Sequence, residues 1–230
     1  MMLANTIDAP RTAPLPGARG TCPVCEADVI AKCGTVNVWH WAHAAGTDCD
    51  PWAESGGMSE WHLGWQNEVP AEQREIVIGN HRADIVTARG HVVEVQHSFI
   101  SEEELLEREA FYVEATGKRM FWIFDAAKAM ETRHEGPCAT DPLRCSDITH
   151  EARLDLRKSD GASDGMYRTF RWKHARKSVA VAGQTVFLDL GRGWLLLLKR
   201  IYPEAPVGGW GYLWTREQVV ACMNQGVNAA

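Results

Sequence analysis

The sequence predicts an α/β protein that carries a small metal-binding module near its N-terminus. Residues 81–86 and 91–98 are short segments rich in Val and Ile with a turn between them, which indicates a β-hairpin. A capping box at residues 101–104 opens a helix, and the apolar run 120–124 is typical of a buried strand. A strand, a helix and a second strand in this order favour parallel pairing across a helical crossover. The Cys-x₂-Cys pair at residues 22–25 predicts the metal-binding module.

Length and charge narrow the function classes. The 230 residues suit one or two domains, and the odd number of seven cysteines favours thiols and metal over a disulfide framework. No apolar run approaches membrane-spanning length, and the N-terminus lacks a signal-peptide pattern, so we expect a cytoplasmic protein without a membrane partner. The net charge of −6 is not typical of a protein that coats DNA, so contacts to DNA would need local basic patches.

Proline and glycine clusters divide the chain into five predicted parts. These are a flexible arm (1–20), a zinc-binding module (21–50), a core (58–125), an irregular insert (126–165) and a C-terminal extension built from a β-hairpin and a helix (166–230). In the extension, residues 185–190 and 194–201 flank a glycine turn and predict the hairpin, and the capping box at 215–218 opens the last helix.

The zinc-binding module is predicted from cysteine and histidine spacing. We expect a structural zinc ion on Cys22, Cys25, His40 and His43, since two thiolates in a tight turn and two imidazoles can complete a tetrahedral site. Fourteen residues separate Cys25 from His40, which is close to the spacing of Cys₂His₂ sites.

The details of this module stay open. Residues 28–30 and 36–39 are plausible short strands of a zinc ribbon, and Cys33 and Cys49 are rival ligands. The alternative is a pair of reduced structural thiols beside packed histidines. Four protein ligands would leave no open position on the ion, so its role would be structural.

A second metal site is predicted on the hairpin. Alternation places Glu94, Gln96 and Ser98 on one face of their strand, and Asp84 lies in the preceding strand. Two neighbouring carboxylates repel each other unless a divalent cation lies between them, which predicts a Mg²⁺ or Mn²⁺ site. The alternative is that Asp84 and Glu94 are solvent-facing residues of an ordinary antiparallel pair.

A basic and aromatic segment is the best candidate for a nucleic-acid contact. Residues 167–177 contain five basic side chains interleaved with three aromatic ones and no acid. Basic groups neutralise phosphates and aromatic faces stack on unpaired bases. The predicted contacts are Arg168, Arg171, Lys173, Arg176 and Lys177, together with Arg108 in the helix after the hairpin. The alternatives are a charged surface with its aromatic residues directed inward, and an exposed ion pair between Arg108 and Glu104.

Three short motifs lie in the middle third of the chain. They are Glu60-Trp61-His62, His81-Arg82-Ala83-Asp84-Ile85 and Glu94-Val95-Gln96-His97-Ser98-Phe99-Ile100-Ser101. These motifs resemble the CoiA-like competence nucleases, a branch of the PD-(D/E)xK nucleases, and the resemblance continues through Glu109 and Phe111-Tyr112. The resemblance implies a restriction-endonuclease-like αβββαβ core, metal-dependent cleavage of DNA, and a role in DNA uptake, recombination or defence.

The resemblance also implies roles for single residues. Asp84, Glu94 and the helical Glu60 would ligate Mg²⁺ or Mn²⁺, with the backbone carbonyl of Val95 as a further ligand. Gln96 would be catalytic, but it stands where the parent motif has Lys and carries no charge. His97 or Lys118 would then supply the positive charge.

The sequence also allows alternatives to these residue roles. His62 and Glu68 are the other candidates on the helix that contains Glu60, and Glu60 itself has a simpler role in capping the helix dipole. The rival function is that of a zinc-bearing DNA-binding or adaptor protein with a catalytically silent nuclease fold.

Overall fold

The computed structural model describes residues 1–43, 49–50, 52, 59–130, 154–157, 166–202, 204 and 207–225. Two sheets organise these residues. The three-stranded sheet comprises β1 (Arg19–Thr21), β2 (Asp28–Lys32) and β3 (His40–His43). The nine-stranded sheet comprises β4 (Arg74–Ile78), β5 (His81–Val86), β6 (Val92–Gln96), β7 (Phe121–Asp125), β8 (Leu154–Arg157), β9 (Tyr167–Trp172), β10 (Thr185–Gly191), β11 (Trp194–Tyr202) and β12 (Val207–Thr215).

Five α-helices accompany the strands within the described ranges. They are α1 (Glu60–Gln66), α2 (Glu102–Thr116), α3 (Ala127–Met130), α4 (Lys177–Val181) and α5 (Arg216–Gln225). Ser101 caps α2 by accepting a hydrogen bond from the Glu104 amide at 3.0 Å, and Gly117 ends this helix in the left-handed region. None of the described helices is long and apolar enough to cross a bilayer.

The predicted α/β class is confirmed by the order of the central elements. Residues 60–125 run helix, three strands, helix, strand, and β6 pairs in parallel with β7 across the crossover helix α2. The predicted parallel pair is therefore present. The register places Glu94 beside Trp122 and Gln96 beside Phe124. Because β6 has β5 on one side and β7 on the other, the strand that carries Glu94 is an interior strand of the sheet.

The C-terminal extension continues the same sheet. The strand order is β4-β5-β6-β7-β10-β11-β12-β9-β8, with β10 parallel to β7 and the strands beyond it antiparallel. The predicted hairpin is confirmed as β10 and β11. The predicted capping box is confirmed too, because Thr215 and Gln218 exchange hydrogen bonds between side chain and amide in both directions.

Strand β12 was not predicted, since its glycines are typical of a loop. Two of these glycines allow a close approach to β11. A Cβ on Gly209 would lie 2.0 Å from the Arg200 carbonyl oxygen, and one on Gly211 would lie 2.2 Å from that of Leu197. The register shifts between Leu198 and Arg200 at this point, so the glycines accommodate a bulge in the partner strand.

Apolar clusters cover both faces of the large sheet. On one face, α2 contributes Leu105 and Tyr112, which pack with Trp122 and Phe124. On the other face, α1 and α5 contribute three side chains that pack on β6, β7, β10 and β11, namely Trp65, Val219 and Met223. Helices α1 and α2 thus approach strands β5 and β6 from opposite sides.

Three predictions of organisation need correction. The arm 1–20 is held in place rather than flexible, because the amides of Met2 and Leu3 donate to the buried Glu75 carboxylate and Ala4 is fully buried. The strand expected at 36–39 is found at His40–His43. The insert 126–165 contains α3 and β8, while 131–153 and 158–165 lie outside the described residues.

Candidate functional site

Asp84 and Glu94 meet where the β5–β6 ladder ends. The ladder pairs Val86 with Val92 and Ile85 with Val93, so Asp84 and Glu94 would form the next pair. At this position, the side-chain carboxylates accept hydrogen bonds from the backbone amides of the neighbouring strand. The Asp84 amide donates to Glu94 Oε1 at 3.2 Å, and the Val95 amide donates to Asp84 Oδ2 at 2.8 Å. Each carboxylate is therefore fixed by backbone of the opposite strand.

Each of these acids also has a basic partner from a helix. His62 of α1 places Nε2 3.0 Å from Asp84 Oδ1. Arg108 of α2 places Nη1 2.9 Å from Glu94 Oε2 and also donates to Glu104. Glu94, His62 and Arg108 are all buried, so the Glu94–Arg108 pair is shielded from bulk water, whereas the Asp84 side chain is 20% exposed.

The two carboxylates have opposite pKa shifts. Burial, followed by the negative charge of Asp84, raises the pKa of Glu94 to about 8. Burial also opposes ionisation of Asp84, but His62 and the Val95 amide outweigh it, and the pKa of Asp84 falls below its ordinary value. Near neutral pH, Asp84 is ionised while Glu94 tends to keep a proton, so the pair carries about one negative charge and a cation that binds both side chains has to displace the proton of Glu94.

This donor set fits a hard divalent cation in part. Carboxylate oxygens are the preferred ligands of Mg²⁺ and Mn²⁺, and a cation would relieve the repulsion that raises the pKa of Glu94. The three predicted acids do not converge, however. Among the described residues, Glu60, Asp84 and Glu94 do not form a group with ligand atoms within 4.8 Å of one another. Glu60 is exposed in the first turn of α1.

The side chain of α1 that reaches the Asp84 carboxylate is His62. Its position follows from helical spacing, because His62, Trp65 and Gln66 form the buried side of α1. The burial of His62 could have been predicted from the sequence, because residues three and seven positions apart, such as His62, Trp65 and Val69, lie on the same face of a helix. Glu68, the other acid considered on this segment, pairs instead with Arg216 at 2.8 Å.

Gln96 lies at the carboxyl end of β6. It is buried, and its amide donates to Ser98 Oγ at 3.1 Å. At the same end, His97 Nδ1 lies 2.8 Å from Asp125 Oδ2. Lys118 donates to the Arg89 carbonyl in the turn between β5 and β6, at the opposite end of β6. Of the two proposed substitutes for the missing Lys, only His97 shares the edge of the sheet that carries Gln96.

A second cluster lies in the small sheet. Four ligand atoms, from Cys22, Cys25, His43 and Cys49, lie within 4.8 Å of one another. Cys22 and Cys49 have their sulfurs 3.5 Å apart, and Cys25 Sγ lies 3.3 Å from His43 Nε2. Burial lowers the pKa of His43, which favours the neutral imidazole that binds metal. This Cys₃His set can bind zinc.

His40, which the spacing predicted as a zinc ligand, lies outside this cluster. Residues 40 and 43 are an odd number of positions apart on β3, so their side chains lie on opposite faces of the strand. The His40 Nδ1 lies 2.8 Å from the Val38 carbonyl oxygen instead. Cys49, one of the two rival ligands considered from the sequence, takes the fourth place, and Cys33 is not in the cluster.

Two family models match the chain. Residues 19–51 match the N-terminal domain of competence protein CoiA, and residues 58–141 match its nuclease-like domain. The chain belongs to the CoiA-like competence family. The first match contains the cysteine–histidine cluster, and the second contains Asp84, Glu94 and both of their basic partners. No curated protein and no solved structure gives a match.

In this CoiA-like chain the two domains are joined by direct contacts. Asp50, the neighbour of Cys49, places Oδ1 2.9 Å from His81 Nδ1 and accepts from the Arg82 amide at 3.1 Å. Trp52 stacks on the His81 ring, and its carbonyl accepts from Arg108 at 2.7 Å. The segment after the last cysteine therefore contacts the same arginine that pairs with Glu94.

The predicted nucleic-acid contacts divide into buried and exposed residues. Arg108 is buried beside Glu94, which removes it from the surface where a phosphate would bind. Arg168 is also buried, and Arg176 donates to the backbone carbonyls of His97 and Asp125. The exposed members are Arg171, Lys173 and Lys177. The predicted segment therefore does not present all of its basic side chains on one exposed surface, and its contact with DNA stays a prediction.

Proposed function

We propose that this chain is a metal-dependent nuclease that hydrolyses phosphodiester bonds of DNA through a PD-(D/E)xK-type site. The observation that carries the proposal is the reciprocal hydrogen bonding of Asp84 and Glu94 within the nuclease-like domain. Participation in DNA uptake, recombination or defence agrees with the family. In the N-terminal domain, we propose that the cysteine–histidine cluster holds a structural zinc ion.

The proposed catalytic cation is Mg²⁺ or Mn²⁺, held by Asp84, Glu94 and the carbonyl of Val95. When bound, such an ion activates water near neutral pH and stabilises the charge of the phosphoryl transition state. His62 keeps Asp84 ionised and fixes one of its oxygens. Arg108 fixes the orientation of Glu94 through Oε2. Glu60, the helical ligand expected from the sequence, stays a prediction.

Gln96 stands where the parent motif has Lys, so the proposed mechanism differs from one with a catalytic Lys. The Gln96 amide can orient a water molecule or donate to a phosphate oxygen, but it brings no positive charge. Arg176 offers a permanent charge at the same edge, through its contacts with the carbonyls of His97 and Asp125. We propose that Arg176 partly replaces the Lys charge and that a Gln96→Lys variant raises the cleavage rate.

One observation favours the alternative, a DNA-binding or adaptor protein with a silent nuclease site. All four oxygens of Asp84 and Glu94 already have a protein donor or basic partner, so a cation must compete with His62 and Arg108. Each oxygen retains a further lone pair, which leaves room for the cation.

The two functions are separated by comparing cleavage with binding. Single-stranded and double-stranded DNA are incubated with the full chain and Mn²⁺, and the same substrates are examined by gel shift without divalent ions. The nuclease predicts shortened products that require the metal. A stable gel shift without divalent ions, together with no shortened products in the presence of Mn²⁺, would favour the adaptor.

A further inference from the structure

An aromatic cluster lies on the large sheet far from the acids. The rings of Tyr167, Trp210 and Tyr212 lie within 6.0 Å of one another between centroids, with Tyr167 stacked on Trp210 at 5.6 Å. The register explains the cluster, because Tyr212 pairs with Tyr167 across β12 and β9, and Trp210 is two residues further along the same face.

These rings are not part of the sheet core. The opposite face of β9 and β12 carries Phe170, Trp172 and Leu213, which are buried, whereas the three clustered rings are only half-buried. The apolar cluster under α1 and α5 extends to Trp214 and Leu197, and the rings lie beyond it along the strands.

Two exposed arginines border the rings. Arg200 is the cross-strand neighbour of Trp210 and lies over the ring of Tyr202 at 5.6 Å, and Tyr202 is 49% exposed. Arg171 occupies the same face of β9, with Gly208 between it and Tyr202 in the ladder. Since Gly208 has no side chain, the strip between Arg171 and Tyr202 is flat. We call the six side chains Tyr167, Arg171, Arg200, Tyr202, Trp210 and Tyr212 the aromatic face.

We propose that the aromatic face binds single-stranded nucleic acid. Half-exposed rings on an open sheet stack on unpaired bases, which a duplex does not offer, while arginines at their border neutralise phosphates. Because the net charge of the chain is −6, phosphate binding depends on local basic groups such as this arginine pair. The proposal rests on the proposed nuclease function, and it names the substrate class of that function.

The distance to the acids sets the length of the strand. Strand β12 is five positions from β5 in the sheet order, which corresponds to about 24 Å at the usual strand spacing of about 4.8 Å. An oligonucleotide that reaches both places binds and is cut better than one that reaches only the aromatic face.

The test measures binding separately from cleavage. The anisotropy of a fluorescein-labelled oligothymidylate is followed with the full chain, in buffer without Mg²⁺ or Mn²⁺. Trp210→Ala weakens binding about ten-fold, whereas Trp210→Phe retains most of it because stacking is kept. Arg200→Gln lowers the slope of log affinity against log salt by about 0.7. Matched controls are Trp39→Ala and Arg119→Gln, which alter an exposed Trp and an exposed Arg outside the face.

The outcomes separate the two proposals. Affinities of Trp210→Ala and Arg200→Gln within two-fold of wild type overturn the aromatic face, even if Asp84→Asn abolishes cleavage. Loss of binding in Trp210→Ala without metal-dependent cleavage by the wild type supports the face and refutes the nuclease. Tighter binding of a duplex of equal length, or conversion of a dimer to a monomer by Trp210→Ala at unchanged affinity, also overturns it.

Discussion

The backbone amide of Asp84 donates a hydrogen bond to the carboxylate of Glu94, at 3.2 Å. The neighbouring amide of Val95 donates back to Asp84. This exchange replaces one rung of the β5–β6 ladder with side-chain contacts, so the two acids are placed by the sheet rather than by a mobile loop. A cation that binds them meets ligands whose orientation is already set, which is what a preorganised site requires.

The stability of the metal-free protein depends on the proton held by Glu94. Its pKa of about 8 in the folded protein exceeds that of an unfolded Glu. Between these two values, the folded state holds a proton that the unfolded state has lost. Stability therefore falls as pH rises toward 8, by at most about 1.4 kcal/mol for each pH unit.

Glu94→Gln removes this dependence. Thermal melting between pH 6 and pH 9 without divalent ions checks the prediction, with Glu103→Gln as the control for an exposed acid. Wild type and Glu103→Gln lose melting temperature as pH rises, whereas the profile of Glu94→Gln is flatter. Parallel profiles for all three proteins would show that Glu94 has an ordinary pKa.

The cysteine–histidine cluster predicts which residues hold zinc. Cys49→Ser removes one of the four converging ligands, so we expect the purified protein to lose most of its bound zinc. His40→Ala keeps the metal, because the His40 imidazole contacts the Val38 carbonyl rather than the cluster. Zinc content per chain, measured by atomic emission, distinguishes them. Loss of zinc in His40→Ala with retention in Cys49→Ser would restore the set expected from spacing.

Arg108 compensates the buried carboxylate of Glu94. At pH 9, where Glu94 is ionised, Arg108→Met leaves that carboxylate without its partner, and we expect a loss of about 3–5 kcal/mol in the free energy of unfolding. The double variant with Glu94→Gln is expected to recover part of this loss, because the uncompensated charge is gone. Urea denaturation of the single and double variants measures the coupling, and Arg119→Met controls for an exposed Arg. Strict additivity would mean that the two side chains act independently.

His62 and Glu60 compete for the helical place in the site. We expect His62→Ala to lose at least about ten-fold more cleavage activity than Glu60→Ala, since His62 contacts Asp84 and lowers its pKa whereas Glu60 is exposed. The acid limb of the pH–rate profile should also move to higher pH in His62→Ala. An equal or larger loss in Glu60→Ala would place Glu60 at the metal, as the sequence motif predicted.

Strand patterns predicted more of this molecule than helix patterns did. The pairing of Asp84 with Glu94 follows from period-two alternation on both sides of a glycine turn, so the hairpin could be predicted locally. The same alternation, applied to His40 and His43, would have excluded His40 as a partner of His43. Strand β12 was hidden because its glycines serve the packing of a distant strand, which local sequence does not reveal.

The partners of the polar side chains on the helices were harder to predict from the sequence. Arg108 lies on the buried stripe of α2 with Leu105 and Tyr112, three and four residues away. A basic residue in such a stripe indicates a buried ion pair, but its partner Glu94 comes from β6 and is found only after the chain has folded. The contact between the segment after Cys49 and β5 is equally long-range, and no spacing rule predicts it.

The central claim is that Asp84 and Glu94 together hold the cation that cleaves DNA. The most direct measurement is the Mn²⁺-dependent cleavage rate of labelled DNA by wild type, Asp84→Asn, Glu94→Gln and the control Glu103→Gln, each shown to be folded by circular dichroism. We predict that both site variants lose at least about 100-fold of the rate, as expected when a catalytic electrostatic group is removed, while Glu103→Gln matches wild type. Wild-type rates in a folded Asp84→Asn or Glu94→Gln protein would contradict the assignment.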